Sequence, residues 1–202
     1  MITVIDYGVG NLGSIINMFR KIGVDAKLTN NAQDIIEAEK LLLPGVGSFD
    51  YGMQMLNNSG YIPLLKTKVL EQKTPILGIC LGMQLLSKRS DEGTSKGLGF
   101  IDAETVKFNV DTNIYKVPHM GWAEVVNKKM SKLFNDMYDE PRFYFVHSYH
   151  MKCNDTQDVL LTANYGYEFV CGIEKDNIYG VQFHPEKSHK FGMKLLENFA
   201  KI

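Results

Sequence analysis

Between residues 2 and 88, short runs in which almost every side chain is apolar alternate with stretches whose apolar residues recur at helical spacing. Ile2 to Tyr7, Val24 to Thr29, Leu41-Leu42-Leu43 and Pro75-Ile76-Leu77-Gly78-Ile79 read as strands. Helices are predicted over Leu12 to Ile22, Ala32 to Glu39, around Tyr51 to Leu56, Ile62 to Glu71, and Leu81 to about Lys88. A strand with one wet face alternates apolar and polar residues. A continuously apolar strand is buried on both faces, as in a parallel sheet covered by helices.

The second half changes character. Phe100 to Phe108, Tyr115 to Val117, Phe143 to Tyr149 and Val159 to Tyr165 read as strands, as does the pair Phe169–Glu174 and Ile178–Phe183 with a hairpin turn at Lys175-Asp176-Asn177. Ser188 to Ala200 is predicted as an amphipathic helix with Ser188 as N-cap. The expected fold class is α/β: a central, mostly parallel sheet flanked by helices, with additional antiparallel strands in the second half. No linker-like composition, internal repeat or low-complexity tract interrupts the 202 residues, so 1–202 reads as a single domain.

Composition removes several function classes. Lys plus Arg is 22 and Asp plus Glu is 23, which gives no electrostatic reason to expect nucleic acid or an anionic membrane as partner. No apolar run approaches the roughly 18–20 residues that span a bilayer, and Met1 to Asp6 lacks the pattern of a signal peptide. Three cysteines, Cys80, Cys153 and Cys171, do not make a disulfide framework, so a reduced cytoplasm is expected.

Gly8-Val9-Gly10-Asn11-Leu12-Gly13 fits a dinucleotide fingerprint, but the second strand ends at Thr29-Asn30-Asn31 without the carboxylate that would hold a ribose. A tight strand-to-helix turn explains the glycines better. Gly78-Ile79-Cys80-Leu81-Gly82 carries more information. A cysteine flanked two residues either side by glycine, between a buried strand and a helix, has the layout of a nucleophile elbow. The helix N-terminus that follows favours the thiolate. A thiolate nucleophile needs a base and the base an orienter. Gln182-Phe183-His184-Pro185-Glu186 offers His184 at a strand end with Glu186 two residues on. Pro44-Gly45-Val46-Gly47-Ser48-Phe49 closes another strand of the parallel series, where backbone N–H groups could meet an oxyanion. His147, His150 and Cys153 suggest zinc, but their spacing along a strand puts consecutive members on opposite faces, so no metal is expected. Pro118-His119-Met120-Gly121-Trp122 holds the only tryptophan and, taken alone, reads as a packed loop.

Together these segments resemble a family. Pro75 through Gln84 is similar to the nucleophile signature of class I glutamine amidotransferases, and His184-Pro185-Glu186 to their His and Glu. With Pro44 to Phe49, Pro118 to Trp122, Phe145 to Tyr149 and Phe183 to Ser188, the resemblance covers the whole chain and is nearest to the glutaminase subunits of imidazole glycerol phosphate synthases, of histidine biosynthesis. The resemblance implies the class I amidotransferase fold, with Cys80 as nucleophile, His184 as acid and base, and Glu186 as its orienter. It implies an oxyanion hole from Leu81 and the Gly45–Gly47 strand near Val46, and glutamine contacts from Gln84, Glu92, Ser148 and Tyr149. Pro118, His119, Met120, Gly121, Trp122 and Lys187 would face a (β/α)8-barrel cyclase subunit in a heterodimer. No cofactor is implied.

By the same resemblance, ammonia released from glutamine would pass through the barrel to a nucleotide acceptor, giving imidazole glycerol phosphate and aminoimidazole carboxamide ribotide. The family usually has Asn after Gly-Trp, where this chain has Ala123. A closely similar bacterial pair, feeding ammonia to the amidination of a surface-sugar precursor, shares the retained motifs and stays open as an alternative. So does a non-catalytic binding or regulatory module on the same fold.

Overall fold

The computed structural model describes all residues 1–202. The first half alternates strand and helix: β1 (Ile2–Ile5), α1 (Leu12–Lys21), β2 (Ala26–Thr29), α2 (Ala32–Ile36), β3 (Lys40–Gly45), α3 (Phe49–Asn58), α4 (Tyr61–Lys66), β4 (Ile76–Cys80) and α5 (Leu81–Leu85). The strands β5 (Arg89–Ser90), β6 (Ala103–Lys107), β7 (His119–Glu124), β8 (Val126–Asn127), β9 (Arg142–His147), β10 (Tyr149–Cys153), β11 (Val159–Asn164), β12 (Glu168–Lys175) and β13 (Ile178–Val181) follow, and α6 (His189–Lys201) completes the set.

The main sheet runs β2-β1-β3-β4-β13-β12-β10-β6-β5, with β11 and then β8 branching from β12. β2, β1, β3, β4 and β13 are mutually parallel. β12 turns back antiparallel to β13 through Asp176-Asn177, with Asp176 at φ 52°. β7 and β9 form a separate antiparallel ribbon, His119 opposite His147.

The continuous apolar runs do what their pattern predicts. Along β1, Ile2 and Val4 enter one core cluster and Ile5 the other; Leu42 and its neighbours Leu41 and Leu43 divide in the same way, as do Leu77 and Ile76. Successive side chains of a strand point to opposite faces, so two cores, one on each side of the sheet, require apolar residues at every position. β3, β4 and β13 finish together at one end of the sheet.

Several boundaries differ from the sequence reading. No strand forms at Tyr115 to Val117: Tyr115 N–H closes a turn on Asp111 O at 2.8 Å, and Pro118 has no N–H to extend a ladder. The predicted strand Phe143 to Tyr149 is two strands, broken at Ser148. The helix after Cys80 stops at Leu85 rather than near Lys88, because Ser87 Oγ bonds back to Gln84 O at 2.7 Å and the chain turns into β5. The helix at Ala32 ends at Ile36, short of Glu39. Helix α4 runs on through a π-helical turn, Thr67–Glu71, that the apolar periodicity does not show. Ser188 is not an N-cap in the side-chain sense. Its hydroxyl donates to His184 O at 2.6 Å and accepts from Tyr144 N at 3.0 Å, tying α6 to the site.

Candidate active site

Cys80 is the last residue of β4 and the one before α5, with φ 54° and ψ −112°. A non-glycine residue held at positive φ where a strand turns sharply into a helix is the strained geometry of a nucleophile elbow. The flanking glycines make it possible. A Cβ on Gly82 would lie 1.8 Å from Leu43 O, and one on Gly78 2.8 Å from the Gly82 carbonyl. α5 therefore presses directly on β3 and β4.

His184 lies just beyond β13, the parallel neighbour of β4. Its N–H donates to Tyr144 O at 2.9 Å. Its Nδ1 donates to Glu186 Oε1 at 2.8 Å, both side chains being almost fully buried. That bond leaves Nε2 buried and without a hydrogen-bond partner in the chain. Burial alone disfavours an imidazolium, but the Cys80 sulfur and the Glu186 carboxylate outweigh it and raise the His184 pKa. The three groups form a charge-coupled set, with Nε2 as the free proton-carrying atom.

Cys80 and His184 open onto a cleft of about 320 Å³ whose walls include Val46, Gly47, Leu81, Gln84, Glu92, Ser148, Tyr149, Pro118 and Lys187. The sequence-predicted oxyanion and glutamine-binding residues thus converge. Gly45 sits beneath the cleft, paired with Cys80 in the sheet. The N–H groups of Val46 and Gly47 donate to no other backbone group, and Leu81 N–H is the first of α5, where no acceptor lies one turn back within the helix. The Glu92 carboxylate accepts Phe49 N–H at 2.8 Å and so fastens the start of α3, next to the Val46–Gly47 turn. Gln84 donates from Nε2 to Tyr149 O at 3.3 Å and to Gln182 Oε1 at 2.9 Å.

The Pro118 to Trp122 segment is mostly strand, not loop. Pro118, Met120 and Trp122 are exposed, Pro118 on the wall of the cleft and Trp122 stacked on His189, and exposed Lys187 reaches over the Tyr144 ring. Gly121 is half-buried. His119 corrects the grouping of this whole segment as a partner-facing surface: its ring is buried, stacked on Tyr165, with Nδ1 3.1 Å from His147 Nε2. His147 Nδ1 faces the Tyr149 carbonyl at 2.7 Å. A carbonyl only accepts, so His147 Nδ1 carries a proton, Nε2 is an acceptor, and His119 Nδ1 is the donor. Burial lowers both pKa values, His119 to about 4 and His147 to about 3, so both rings are neutral.

The sequence alone does not reveal this pair, because its only signal is two histidines at register-matched ends of β7 and β9. Gln182 carries a fainter signal, a polar residue directly after an apolar strand and two positions before His184. His147, His150 and Cys153 lie on two different strands, and no three such groups converge as metal ligands. Cys153 and Cys171 are held as thiols by burial, the former up to about 12. At the first glycine cluster, Gly8 and Gly10 take φ 84° and 123° in the turn from β1 to α1.

The sequence model of the family described as "Glutamine amidotransferase class-I" matches residues 3–202. Among curated relatives, imidazole glycerol phosphate synthase subunit HisH 2 of Methanococcus maripaludis is 58% identical, over 100% of this chain and 99% of that protein. Subunit HisH 1 of Campylobacter jejuni is 51% identical and HisH 2 of Pseudomonas aeruginosa 48%, each over 100% of both chains. Among solved structures, a glutamine amidotransferase superposes with TM-score 0.76 at 15% identity over 100% of both chains. PurLQS from Thermotoga maritima gives 0.73 at 18%, over 99% of this chain and 97% of that one. At such identities the likeness speaks for the fold. The chain belongs to the class-I glutamine amidotransferases and, within them, to the family of imidazole glycerol phosphate synthase HisH subunits.

Proposed function

We propose that the chain, acting as one glutaminase domain, hydrolyses glutamine to glutamate and ammonia through Cys80, His184 and Glu186. The observation that carries this reading is that β4 and β13 are adjacent and parallel, so that Cys80 at the end of β4 and His184 just beyond β13 meet on one cleft, with Glu186 bonded behind the imidazole. The Cys80 thiolate attacks the carboxamide carbon, and the oxyanion is met by N–H groups of Leu81 and the Val46 turn. His184 gives its Nε2 proton to the departing nitrogen, which leaves as ammonia, and a glutamyl thioester remains. A water then attacks with His184 Nε2 taking its proton, and collapse expels the thiolate and releases glutamate. Gln84, Glu92, Ser148 and Tyr149 hold the substrate's amino acid end.

The chain is a subunit, as its family's name states, and we assign the missing part to a (β/α)8-barrel cyclase that docks over Pro118, Met120, Trp122 and Lys187 and receives the ammonia. Ammonia released into water would be protonated and lost, so the acceptor site must lie against this cleft. No helix is long and apolar enough to cross a membrane; we place the enzyme in the cytoplasm. The test is glutamate release by the purified chain with candidate barrel subunits from its own genome, with and without the histidine-pathway nucleotide. Stimulation by the histidine cyclase and that nucleotide supports the reading. Stimulation only by a barrel encoded among sugar-biosynthesis genes refutes the acceptor, and no glutamate with any partner refutes the activity.

A further inference from the structure

Gln182 is fully buried, one residue past the end of β13. Since Val181 stands opposite Ile79 in the parallel pairing of β13 and β4, the next residue lies beside Cys80. Its main chain is fixed by donation to Cys171 O at 2.9 Å. Its side-chain amide spans the space between Gln84 and the sulfur: Oε1 accepts from Gln84 Nε2 at 2.9 Å, and Nε2 lies 3.7 Å from Cys80 Sγ.

The direction of this chain of bonds is determined. The Tyr149 carbonyl can only accept, so the Gln84 atom near it is the amide nitrogen. That nitrogen also meets Gln182, so the Gln182 atom there is its oxygen, and the Gln182 nitrogen is turned to the sulfur. No other group accepts from it. A buried N–H without a partner is costly, and a thiol is a weak acceptor where a thiolate is a strong one. The buried amide is satisfied best when the sulfur is charged.

We infer that Gln182 is a further catalytic residue, donating an amide N–H to the Cys80 sulfur and stabilising it as the thiolate that attacks and is later expelled. The inference rests on the reading of Cys80 as nucleophile, but it concerns the sulfur itself and is measurable without glutamine.

The experiment compares the full chain with Gln182→Met and Gln182→Glu. It follows iodoacetamide alkylation of Cys80 against pH by peptide mass spectrometry and records the pH of half-maximal rate. Methionine keeps the volume but has no donor. Glutamate keeps the shape and the acceptor for Gln84 but turns an oxygen to the sulfur. The other titratable groups around the sulfur are His184 with Glu186 behind it, Tyr7 just beyond β1, and Glu92, His147, Tyr149 and Lys187 on the walls of the cleft, and none is altered. The half-maximal pH is expected to rise by about one unit in Gln182→Met, a tenfold change in ionisation, and further in Gln182→Glu, with kcat for glutamine falling in the same order.

A wild-type profile for Gln182→Glu beside an altered one for Gln182→Met would overturn the inference, because it would show that only the acceptor for Gln84 matters. Unchanged profiles in both would overturn it equally. Should Gln182→Met not fold, Gln84→Met, which removes the donor that fixes the amide's direction, must raise the half-maximal pH as well; no change there has the same consequence. Absent glutamine turnover with the expected alkylation order would refute the glutaminase reading and leave the role of Gln182 standing.

Discussion

An alanine at Gly82 would place its methyl carbon 1.8 Å from the Leu43 carbonyl oxygen and 2.8 Å from the carbonyl carbon. That is about 1.6 Å short of ordinary contact, and the obstacle is backbone, which no rotamer change moves aside. Helix α5 and strand β3 must then part by more than an ångström. Overpacking of this kind costs about 1–3 kcal/mol, and a backbone obstacle puts Gly82→Ala at the upper end. The same movement separates the Val46 turn from Cys80, and a misplacement near 1 Å costs about 10²-fold in rate. Gly13, in the first turn of α1, is the internal control: it has no positive φ, and a Cβ there meets nothing within 4 Å. Gly13→Ala should stabilise the protein by about 0.5 kcal/mol, mainly by restricting the unfolded chain. Urea denaturation and glutaminase assays with the partner subunit read both effects. A Gly82→Ala protein with wild-type midpoint and turnover would refute the argument that glycine is required by the contact of α5 with β3.

Cys80→Ala should abolish glutamine-dependent activity while leaving partner binding intact, measured by co-elution in size-exclusion chromatography; loss of both would make Cys80 structural. Glu186→Gln keeps the shape but replaces the charge behind His184 Nδ1, and kcat should fall at least tenfold with KM nearly unchanged, read from steady-state kinetics. Stability should decline on acidification through the His119–His147 pair. Both folded pKa values lie below the unfolded 6.5, so the contribution is full above about pH 6.5 and is lost as pH falls toward 4. From pH 7 to pH 5 the loss is on the order of 2 kcal/mol for each ring, and His119→Phe should flatten the decline in urea midpoints across that range.

The parallel half of the fold was legible because burial on both faces leaves a run such as Leu41-Leu42-Leu43 that no helix or wet strand of that length shares. That Cys80, His184 and Glu186 come together was legible because the turn at Cys80 is local: Gly78, Cys80 and Gly82 are fixed by contacts within a few residues and with the neighbouring strand. Glu186 stands two residues from the histidine it orients. What the sequence concealed depends on pairing between distant segments. The β7–β9 ribbon, the break at Ser148 and the burial of His119 all follow from the register of residues 119–124 against 142–147, which no local pattern encodes. Gln182 escaped for the same reason: its neighbours Gln84 and Cys80 lie about a hundred positions away and meet it only through the alignment of β13 with β4. The resemblance grouped Pro118 to Trp122 as one surface, but a strand alternates, and His119 turns inward where Met120 and Trp122 do not share its burial.

The measurement that bears most directly on the central claim is labelling of the chain, assembled with its partner, by a diazoketone analogue of glutamine, followed by peptide mapping. One adduct per chain is expected, on Cys80, formed in step with loss of glutaminase activity and slowed by excess glutamine. An adduct on Cys153 or Cys171 in its place, or full activity persisting after Cys80 is labelled, would contradict it.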